Sequence, residues 1–359
     1  MARPAKVLIV DDSAIVRHLL AKGLASDPNI QVIGQAADAF IARDLLLKHE
    51  PDVITLDIEM PKVDGLSFLR RIMEYRPTPT IIVSSISQDG SAASLEALRI
   101  GAAAVFAKPG GPQAVGELVD ALKRCIAELR AGGFTLRRPQ APAMPAAMAP
   151  ATLGRIPAAR AQNVLIAIGA STGGTQAIES LLTRLPPDLP PIVIAQHMPP
   201  GFTRRFAERL NEITSHRVVE GQHGDQLRPG VVYVAPGGRH MIVERYGVEL
   251  RIGLTDTAPV HFQRPAVDVL FTSVAQLRAE PAIGVVMTGM GQDGADGLLA
   301  MRRAGAHTFA EDEQSCVVFG MPKEAIARGG VMDVVTLWQM PQALVAALEH
   351  PPARTRTVA

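Results

Sequence analysis

The chain has 359 residues, of which 47% are hydrophobic and 20% are charged, and its 36 Lys and Arg nearly balance its 35 Asp and Glu. At roughly 150 residues per domain this length predicts two globular domains, and a net charge of +1 provides no overall field that would recruit nucleic acid or an anionic membrane. The apolar run near the N-terminus is too short for a signal peptide or a membrane span, and two widely separated cysteines fit buried thiols in the reducing cytoplasm.

Strand-like and helix-like segments alternate over residues 4–128. Each strand-like segment is a short apolar run followed by a stretch with helical spacing. These runs lie at residues 6–10, 30–33, 52–56, 80–83 and 103–106. Five such units predict a doubly wound parallel sheet with right-handed crossovers and the flavodoxin-like strand order 2-1-3-4-5.

Reactive side chains follow four of these strands. Asp11 and Asp12 follow the first strand, Asp57 follows the third, Ser84 ends the fourth and Lys108 follows the fifth. Because ligands bind at the carboxyl edge of such sheets, we expect these side chains to meet. Three clustered carboxylates predict a divalent-metal site, with Mg²⁺ as the natural occupant. The alternative, that an aspartate only caps a helix, explains single residues but not the set.

The first domain resembles a known family through Asp11-Asp12, Leu56-Asp57-Ile58-Glu59-Met60-Pro61, Asp64-Gly65, Ser84 and Lys108-Pro109. Residues 4–128 are similar to the receiver domain of two-component response regulators. The resemblance implies that a histidine kinase phosphorylates Asp57. It also implies a set of ligands: Asp11, Asp12, Asp57 and the carbonyl of Glu59 for Mg²⁺, and Ser84 and Lys108 for the phosphoryl oxygens. Val105 stands where many receivers have an aromatic switch residue, so aromatic rotamer switching is not expected.

Residues 131–162 are rich in alanine and proline and have no clear apolar period. This composition predicts a linker, which would let the flanking domains touch or separate. For residues 350–359, at the end of the chain, we predict a disordered tail.

Residues 163–349 alternate again, which predicts a second doubly wound α/β domain with a mostly parallel sheet. Its strand-like segments lie near 164–168, 192–196, 231–235, 283–288 and 307–310. Residues 231–234, 241–243 and 248–252 predict an antiparallel insertion joined by glycine turns. The segment is too long for a winged-helix reader and has no basic stripe, which argues against DNA binding.

Gly169-Ala170-Ser171-Thr172-Gly173-Gly174 lies between an apolar run and a segment with helical spacing. A serine on such a strand-to-helix turn can act as a nucleophile beside free backbone N–H groups. The same glycine-rich turn can instead bind a phosphate. The turn alone leaves both hypotheses open.

His197 and Asp293 lie just beyond two other predicted strands of this domain. With Ser171 they supply a nucleophile, a general base and an orienting carboxylate. Their order along the chain, Ser, His, Asp, differs from the Ser, Asp, His order of α/β-hydrolases. Each also has a structural explanation, with Ser171 or Asp293 capping a helix and His197 making a structural hydrogen bond. The other histidines, His223, His240 and His261 among them, lack the close spacing of a zinc site.

The second domain resembles the catalytic domain of chemotaxis response-regulator protein-glutamate methylesterases. The resemblance rests on five segments: 169–174, Gln196-His197-Met198, Ala235-Pro-Gly-Gly-Arg-His240, Arg264-Pro265 with Val267-Asp268, and Thr288-Gly-Met-Gly-Gln-Asp-Gly294. It implies that Ser171 is the nucleophile, His197 the general base and Asp293 its partner, with the backbone N–H of Met290 as an oxyanion donor. Ala266 replaces a serine found in many relatives and leaves this triad unaffected.

The resemblance implies a function for the whole chain. It would hydrolyse glutamate γ-methyl esters on membrane-bound methyl-accepting chemotaxis receptors, release methanol and deamidate receptor glutamines. The unphosphorylated receiver would block the active site, and the catalytic domain would need no cofactor. We expect a cytoplasmic protein without nucleic-acid partners or direct membrane insertion. The competing hypothesis is a phosphate-binding module, in which Ser171→Ala would leave ligand affinity nearly intact.

Overall fold

The computed structural model describes residues 3–60, 64–84, 88–108, 112–131, 164–277 and 281–349. The chain forms two compact units, which divide between Gln140 and Ala141. Nearly all of the predicted linker, and all of the predicted tail, lie outside the described residues. None of the helices in the described ranges is long and apolar enough to cross a membrane.

The N-terminal unit alternates five strands with five helices among its described residues. In chain order these are β1 (Ala5–Val10), α1 (Ala14–Leu24), β2 (Ile30–Ala36), α2 (Ala39–His49), β3 (Val53–Leu56), α3 (Gly65–Tyr75), β4 (Thr80–Ser84), α4 (Gln88–Ile100), β5 (Ala104–Ala107) and α5 (Pro112–Ala131).

The strands form one parallel sheet in the order β2-β1-β3-β4-β5, which confirms the predicted topology. The central strands are buried on both faces because helices cover them. The carboxyl ends of β1 and β3 are therefore neighbours at the point where the strand order reverses.

Side-chain caps begin the helices that follow these strands. The hydroxyl of Ser13 accepts a hydrogen bond from the N–H of Val16 and caps α1, while Asp38 caps α2. Asp11 and Asp12 are therefore not the helix caps that the alternative hypothesis required. Their carboxylates lie at the carboxyl end of β1.

The C-terminal unit contains nine strands and six helices among its described residues. They are β6 (Leu165–Ala170), α6 (Gly174–Leu182), β7 (Ile192–Gln196), α7 (Phe202–Ile213), β8 (Arg217–Glu220), β9 (Val231–Val234), β10 (His240–Tyr246), β11 (Glu249–Thr255), α8 (Val267–Gln276), β12 (Ala282–Val286), α9 (Ala295–Arg303), β13 (His307–Glu311), α10 (Met321–Ala327), β14 (Asp333–Val335) and α11 (Met340–Glu349).

Seven of these strands form a second parallel sheet in the order β14-β13-β12-β6-β7-β9-β8. β6 lies at the centre, between β12 and β7. The turns after these three strands carry Ser171, His197 and the segment that leads to Asp293. The topology thus brings all three predicted residues to one edge of the sheet.

The predicted antiparallel insertion is partly wrong. β10 and β11 do form an antiparallel hairpin with its turn at Gly247, as predicted. The segment Val231–Val234, however, is β9 of the main sheet and pairs in parallel with β7 and β8. Three of its four residues are buried, and a short apolar run of this kind is compatible with either pairing. β8 and β14, which the sequence analysis missed, are edge strands of three or four residues.

Candidate active site

Ser171 lies on a tight turn between β6 and α6. The N–H of Gly174 donates to the carbonyl of Ser171 at 2.8 Å, and Gly173 has a positive φ of 78°, which favours glycine. Gly173 is also the N-cap residue of α6, and no side chain caps this helix. The interpretation of Ser171 as a helix cap is therefore wrong, and its hydroxyl is left for another role.

The backbones around Ser171 and His197 are tied together. The N–H of His197 donates to the carbonyl of Ala170 at 3.2 Å. The buried amide of Gln196 donates from Nε2 to the carbonyls of Ser171, at 2.9 Å, and His197, at 3.2 Å. Gln196 thus holds the two turns in one relative position. No role for Gln196 was predicted from the sequence, although its place just before His197 was a usable signal.

The imidazole of His197 pairs with the carboxylate of Asp293. His197 Nε2 lies 2.7 Å from Asp293 Oδ2, and the two side chains are only 6% and 2% exposed. His197 Nδ1 is buried and has no hydrogen-bond partner among the described residues. A proton on Nε2 would be held by Asp293, which leaves the Nδ1 lone pair able to accept a proton.

Asp293 is held by two backbone N–H groups in addition to His197. Val267 donates to Oδ2 at 2.7 Å and Asp268 donates to Oδ1 at 2.8 Å. Burial acts to raise the pKa of Asp293, but the hydrogen bond and charge of His197 and the two N–H groups outweigh it, so the pKa is lowered. Gly294, without a side-chain cap, is the N-cap residue of α9. Asp293 therefore serves the imidazole as an anion and does not cap this helix.

The loop that carries Met290 packs against the turn of Ser171. The N–H of Ser171 donates to the carbonyl of Thr288 at 3.0 Å. A Cβ placed on Gly289 would lie 2.9 Å from the Cβ of Ser171, which is closer than real Cβ contacts. Only glycine permits this approach of residue 289, the neighbour of Met290, to the serine.

A buried polar network supports the same loop. The hydroxyl of Thr288 donates to the carbonyl of Thr172 at 2.9 Å, and the N–H of Thr288 donates to Glu311 Oε2 at 2.8 Å. Burial raises the pKa of Glu311 to about 7, although the N–H of Thr288 opposes the shift. No role for Glu311 was predicted from the sequence, because a glutamate at the end of a strand does not by itself reveal complete burial.

We expect Glu311→Gln to stabilise the protein at high pH. Because the folded-state pKa of Glu311 is raised, protonated Glu311 makes its full contribution to the free energy of unfolding below pH 4.5. This contribution is lost as the pH rises through about 7. Glutamine keeps an acceptor for Thr288 without the charge. The free energy of unfolding of the variant should exceed that of the unmodified protein by on the order of 3 kcal/mol at pH 8 and by much less at pH 5.

Thermal unfolding at the two pH values tests this expectation. A midpoint that rises by several degrees at pH 8 but little at pH 5 would confirm it. The same gain at both values would mean that the pKa of Glu311 is not raised in the folded protein.

The loop after His197 is braced by the segment Pro236–Gly238. The N–H of Gly237 donates to the hydroxyl of Thr203 at 2.9 Å. A Cβ on Gly237 would lie 2.4 Å from the carbonyl carbon and oxygen of Pro199. Because the backbone of Gly237 packs directly against the backbone of Pro199, this segment fixes the position of Pro199, two residues after His197.

A second histidine–aspartate pair lies next to the first. His261 Nε2 is 3.0 Å from Asp268 Oδ2, and Asp268 Oδ1 accepts from the N–H of Gly297 at 2.7 Å. Burial raises the pKa of Asp268, with the charge of Asp293 acting in the same direction. Ligand atoms of His261, Asp268 and Asp293 lie within 4.8 Å of one another. The carboxylates already accept backbone N–H groups and imidazoles, so the arrangement is accounted for as a hydrogen-bond network.

The receiver-like unit brings its predicted acidic residues together. Carboxylate oxygens of Asp11, Asp12 and Asp57 lie within 4.8 Å of one another. Lys108 Nζ lies 2.7 Å from Asp57 Oδ2 and 3.1 Å from Asp11 Oδ2. Burial raises the pKa of Asp57 to about 6, and the nearby carboxylate of Asp11 adds to this, while Lys108 opposes it. Burial and repulsion of this kind favour binding of a hard cation.

Two further predicted residues lie at this site. The buried hydroxyl of Ser84 has no hydrogen-bond partner among the described residues, and its carbonyl accepts from the N–H of Lys108 at 2.7 Å. The N–H of Glu59 donates to Asp57 Oδ1 at 3.1 Å, which places this residue beside the aspartate. Ser84 ends the strand that pairs with β3, which Asp57 follows, and a buried hydroxyl without a partner among the described residues suits a ligand with acceptor oxygens.

Both units of the chain are similar to known proteins. Residues 166–344 match the family model described as CheB methylesterase, and residues 7–122 match the response regulator receiver domain. The chain is 50% identical over 331 residues to protein-glutamate methylesterase/protein-glutamine glutaminase 4 of Anaeromyxobacter dehalogenans, covering 92% of this chain and 91% of that protein. It is also 46% identical to protein-glutamate methylesterase/protein-glutamine glutaminase 1 of Cupriavidus metallidurans, and the match covers 99% of this chain and 99% of that protein.

One solved structure is similar to the C-terminal unit. The crystal structure of the CheB methylesterase catalytic domain of Thermotoga maritima is 35% identical, with a TM-score of 0.50. The match covers 52% of this chain and 98% of that chain.

Proposed function

The chain belongs to the family of CheB protein-glutamate methylesterases with receiver domains. We propose here which of its residues carry out the reaction and how the receiver controls it. The family activity is that of a phosphorylation-regulated protein-glutamate methylesterase and protein-glutamine glutaminase in chemotaxis adaptation. The substrates are glutamate γ-methyl esters of methyl-accepting receptors. Ser171, His197 and Asp293 form the catalytic triad.

The proposed reaction is supported by the pairing of His197 Nε2 with Asp293, which leaves Nδ1 of the imidazole for the serine. Ser171 Oγ attacks the ester carbonyl while His197 Nδ1 accepts its proton, and Asp293 stabilises the imidazolium through Nε2. The backbone N–H of Met290 stabilises the oxyanion. His197 returns the proton to the leaving methoxide, methanol departs, and a water molecule activated by the same imidazole releases the glutamate.

Glutamine deamidation uses the same site. A carboxamide has the same electrophilic carbon and similar dimensions, and its nitrogen leaves as ammonia after protonation by His197. Because the amide nitrogen is a poorer leaving group than the methoxy group of the ester, we expect deamidation to be slower than ester hydrolysis on the same receptor.

The receiver controls this activity through Asp57. A histidine kinase of the pathway is the phosphodonor, and the acceptor is the Asp57 carboxylate. Mg²⁺ held by Asp11, Asp12, Asp57 and the carbonyl of Glu59 would neutralise charge during the transfer, and the clustered carboxylates fit this ion. Lys108 and Ser84 then bind the phosphoryl oxygens, and phosphorylation relieves the block that the receiver places on the active site. The protein acts from the cytoplasm on the receptors.

The observation that carries this proposal is the pair of His197 and Asp293 at the strand end next to Ser171. A phosphate-binding module would need the N–H groups of the glycine-rich turn, but it would not need a buried imidazole joined to a carboxylate at 2.7 Å. The geometry therefore favours a nucleophile over an anion cradle.

The test is methanol release from a methylated receptor by the intact chain, with and without a small phosphodonor and Mg²⁺. We expect release in both cases and a faster rate with the phosphodonor. Equal rates would contradict control by the receiver, and no release in either case would contradict the esterase assignment.

We expect Gly237→Ala to lower kcat on the order of 10²-fold, because the new Cβ would displace Pro199 and hence the imidazole of His197. Methanol release and the thermal midpoint should be measured together. Gly116→Ala is the matched control, since a Cβ there meets nothing within 4 Å. A Gly237→Ala enzyme within twofold of the unmodified one would show that the loop does not position His197.

A further inference from the structure

Asp268 lies beside Asp293, where the helices α8 and α9 begin. It belongs to the first turn of α8, and its main-chain N–H donates to Asp293 Oδ1 at 2.8 Å. Its own Oδ1 accepts the N–H of Gly297, in the first turn of α9, at 2.7 Å. A Cβ placed on Gly297 would lie 3.1 Å from the Cα of Asp268, so the two helices are in close contact at this point. These contacts fix the carboxylate of Asp268 next to that of Asp293.

The carboxylates of Asp268 and Asp293 form a pair that is shielded from solvent. One oxygen of each lies within 4.8 Å of the other, and the two side chains are only 9% and 2% exposed. Burial raises the pKa of Asp268, the N–H of Gly297 opposes this shift, and the charge of Asp293 adds to it. Charges that are close and poorly solvated act on each other more strongly than charges on the surface. A charge that forms next to Asp293 must therefore also act on Asp268.

The hydrogen bonds of His261 keep this side chain neutral. Its Nε2 lies 3.0 Å from Asp268 Oδ2, and its Nδ1 lies 3.4 Å from Nε2 of Gln292. Gln292 Oε1 accepts from Arg328, and because a guanidinium cannot accept a hydrogen bond, the amide directs its NH₂ group toward His261. Nδ1 is then an acceptor, and the single ring proton is on Nε2, against Asp268. The imidazole thus holds Asp268 without cancelling its charge.

The other charged groups near this pair come from α9 and from the hairpin. Asp296 is 64% exposed and forms an ion pair with Arg328, so solvent screens its charge. His240 is close to Asp293 but accepts the N–H of Ala266 at Nδ1, and burial lowers its pKa, so it is neutral. Glu244 and Arg245 of β10 line an open cavity that Asp268 also lines. Among the described residues, His197 is the only side chain that bonds Asp293.

We propose that Asp268 is a positioning residue for the reaction, whose carboxylate acts through Asp293 to favour the imidazolium that His197 forms when it deprotonates Ser171. This inference rests on the proposed function. The proton that His197 takes up is placed against two carboxylates, and the second one stabilises it beyond what Asp293 alone provides. Because Asp268 acts only through Asp293, its charge affects the strength of the base and not the binding of the receptor.

The test is the pH dependence of kcat/KM for methanol release by the full chain, activated by a small phosphodonor and Mg²⁺, on a methylated chemoreceptor. Asp268→Asn keeps an acceptor for Gly297 and removes the charge. We expect the acidic limb of the profile, where the base becomes protonated, to move to lower pH by about half a unit or more. The plateau of kcat should fall by less than about tenfold, with KM unchanged.

A second variant changes the same charge from a distance. In Gln292→Glu the new carboxylate can accept from His261 Nδ1 and stabilise a proton there, and that proton offsets the charge of Asp268. The acidic limb should therefore move in the same direction as in Asp268→Asn, by a smaller amount. Glu313→Gln is the matched control, because it removes a charge at an exposed position of the same unit. It should leave the limb in place.

Thermal unfolding of each variant separates this role from a structural one. A lower midpoint or a lower plateau with the acidic limb unmoved would overturn the inference and make Asp268 a structural residue. A limb that moves to higher pH in either variant would also overturn it, because the second carboxylate would then not favour the imidazolium. If Asp268→Asn does not fold, the limb of Gln292→Glu decides alone. An absence of methanol release by the unmodified chain is a distinct result, which would contradict the proposed function and this inference with it.

Discussion

Replacing Ser171 by alanine should lower the rate of methanol release on the order of 10⁴-fold or more. His197→Ala should cost nearly as much, and the double variant should lose little beyond either single one. The physical reason is that the nucleophile and the base act as a unit. Without the imidazole the hydroxyl keeps its proton, and without the hydroxyl the imidazole has nothing to deprotonate.

The measurement is methanol release by each variant under single-turnover conditions, with thermal unfolding to show that the variants fold. Ser215→Ala and His223→Ala are matched controls, because both residues are exposed and lie in the same unit. They should keep the rate within about twofold. If the losses of the two single variants multiplied in the double variant, the two residues would act independently and the triad would be wrong.

Asp57→Asn should abolish both labelling by a small phosphodonor and the activation that accompanies it. The amide cannot form the acyl phosphate, and it also loses the charge that Lys108 pairs with at 2.7 Å. The rate of methanol release should then be the same with and without phosphodonor, at the level of the unphosphorylated chain.

Asp44→Asn is the matched control, since its side chain is 68% exposed and lies away from the acidic cluster. It should be labelled and activated like the unmodified chain. Labelling of Asp57→Asn at full stoichiometry would place the acceptor at another residue. Activation without labelling would mean that the phosphodonor acts by a route other than phosphorylation.

The two kinds of variant separate the roles of the two domains. Loss of Ser171 should leave labelling of Asp57 intact, and loss of Asp57 should leave the basal hydrolysis intact. Since Asp57 and the triad lie in different compact units, each reaction can be measured while the other is disabled.

Much of the fold was predictable from local patterns. The strand order of the receiver follows from five short apolar runs, because parallel βα units have few allowed arrangements. Ser171, His197 and Asp293 could be named because each stands just after an apolar run, where a parallel sheet places its ligands. Residue type and position in the chain were sufficient for these predictions, since both are local properties.

Pairing between distant segments was not predictable in the same way. Val231–Val234 has a pattern compatible with two kinds of partner, and only the packed sheet shows that β9 pairs in parallel with β7 and β8. Edge strands such as β14 are too short to give a periodic signal. Their pairing depends on neighbours far away in the chain, which a local pattern does not contain.

The sequence by itself determined the residue types at the strand ends, and with them the chemistry available to this protein. Only the tertiary structure decided that His197 uses Nε2 for Asp293 and turns Nδ1 elsewhere, that Gln196 ties the two turns together, and that Glu311 is buried under Thr288. These features depend on burial and on the direction of side chains across neighbouring strands. Both arise from packing between segments tens of residues apart, so no local pattern could have supplied them.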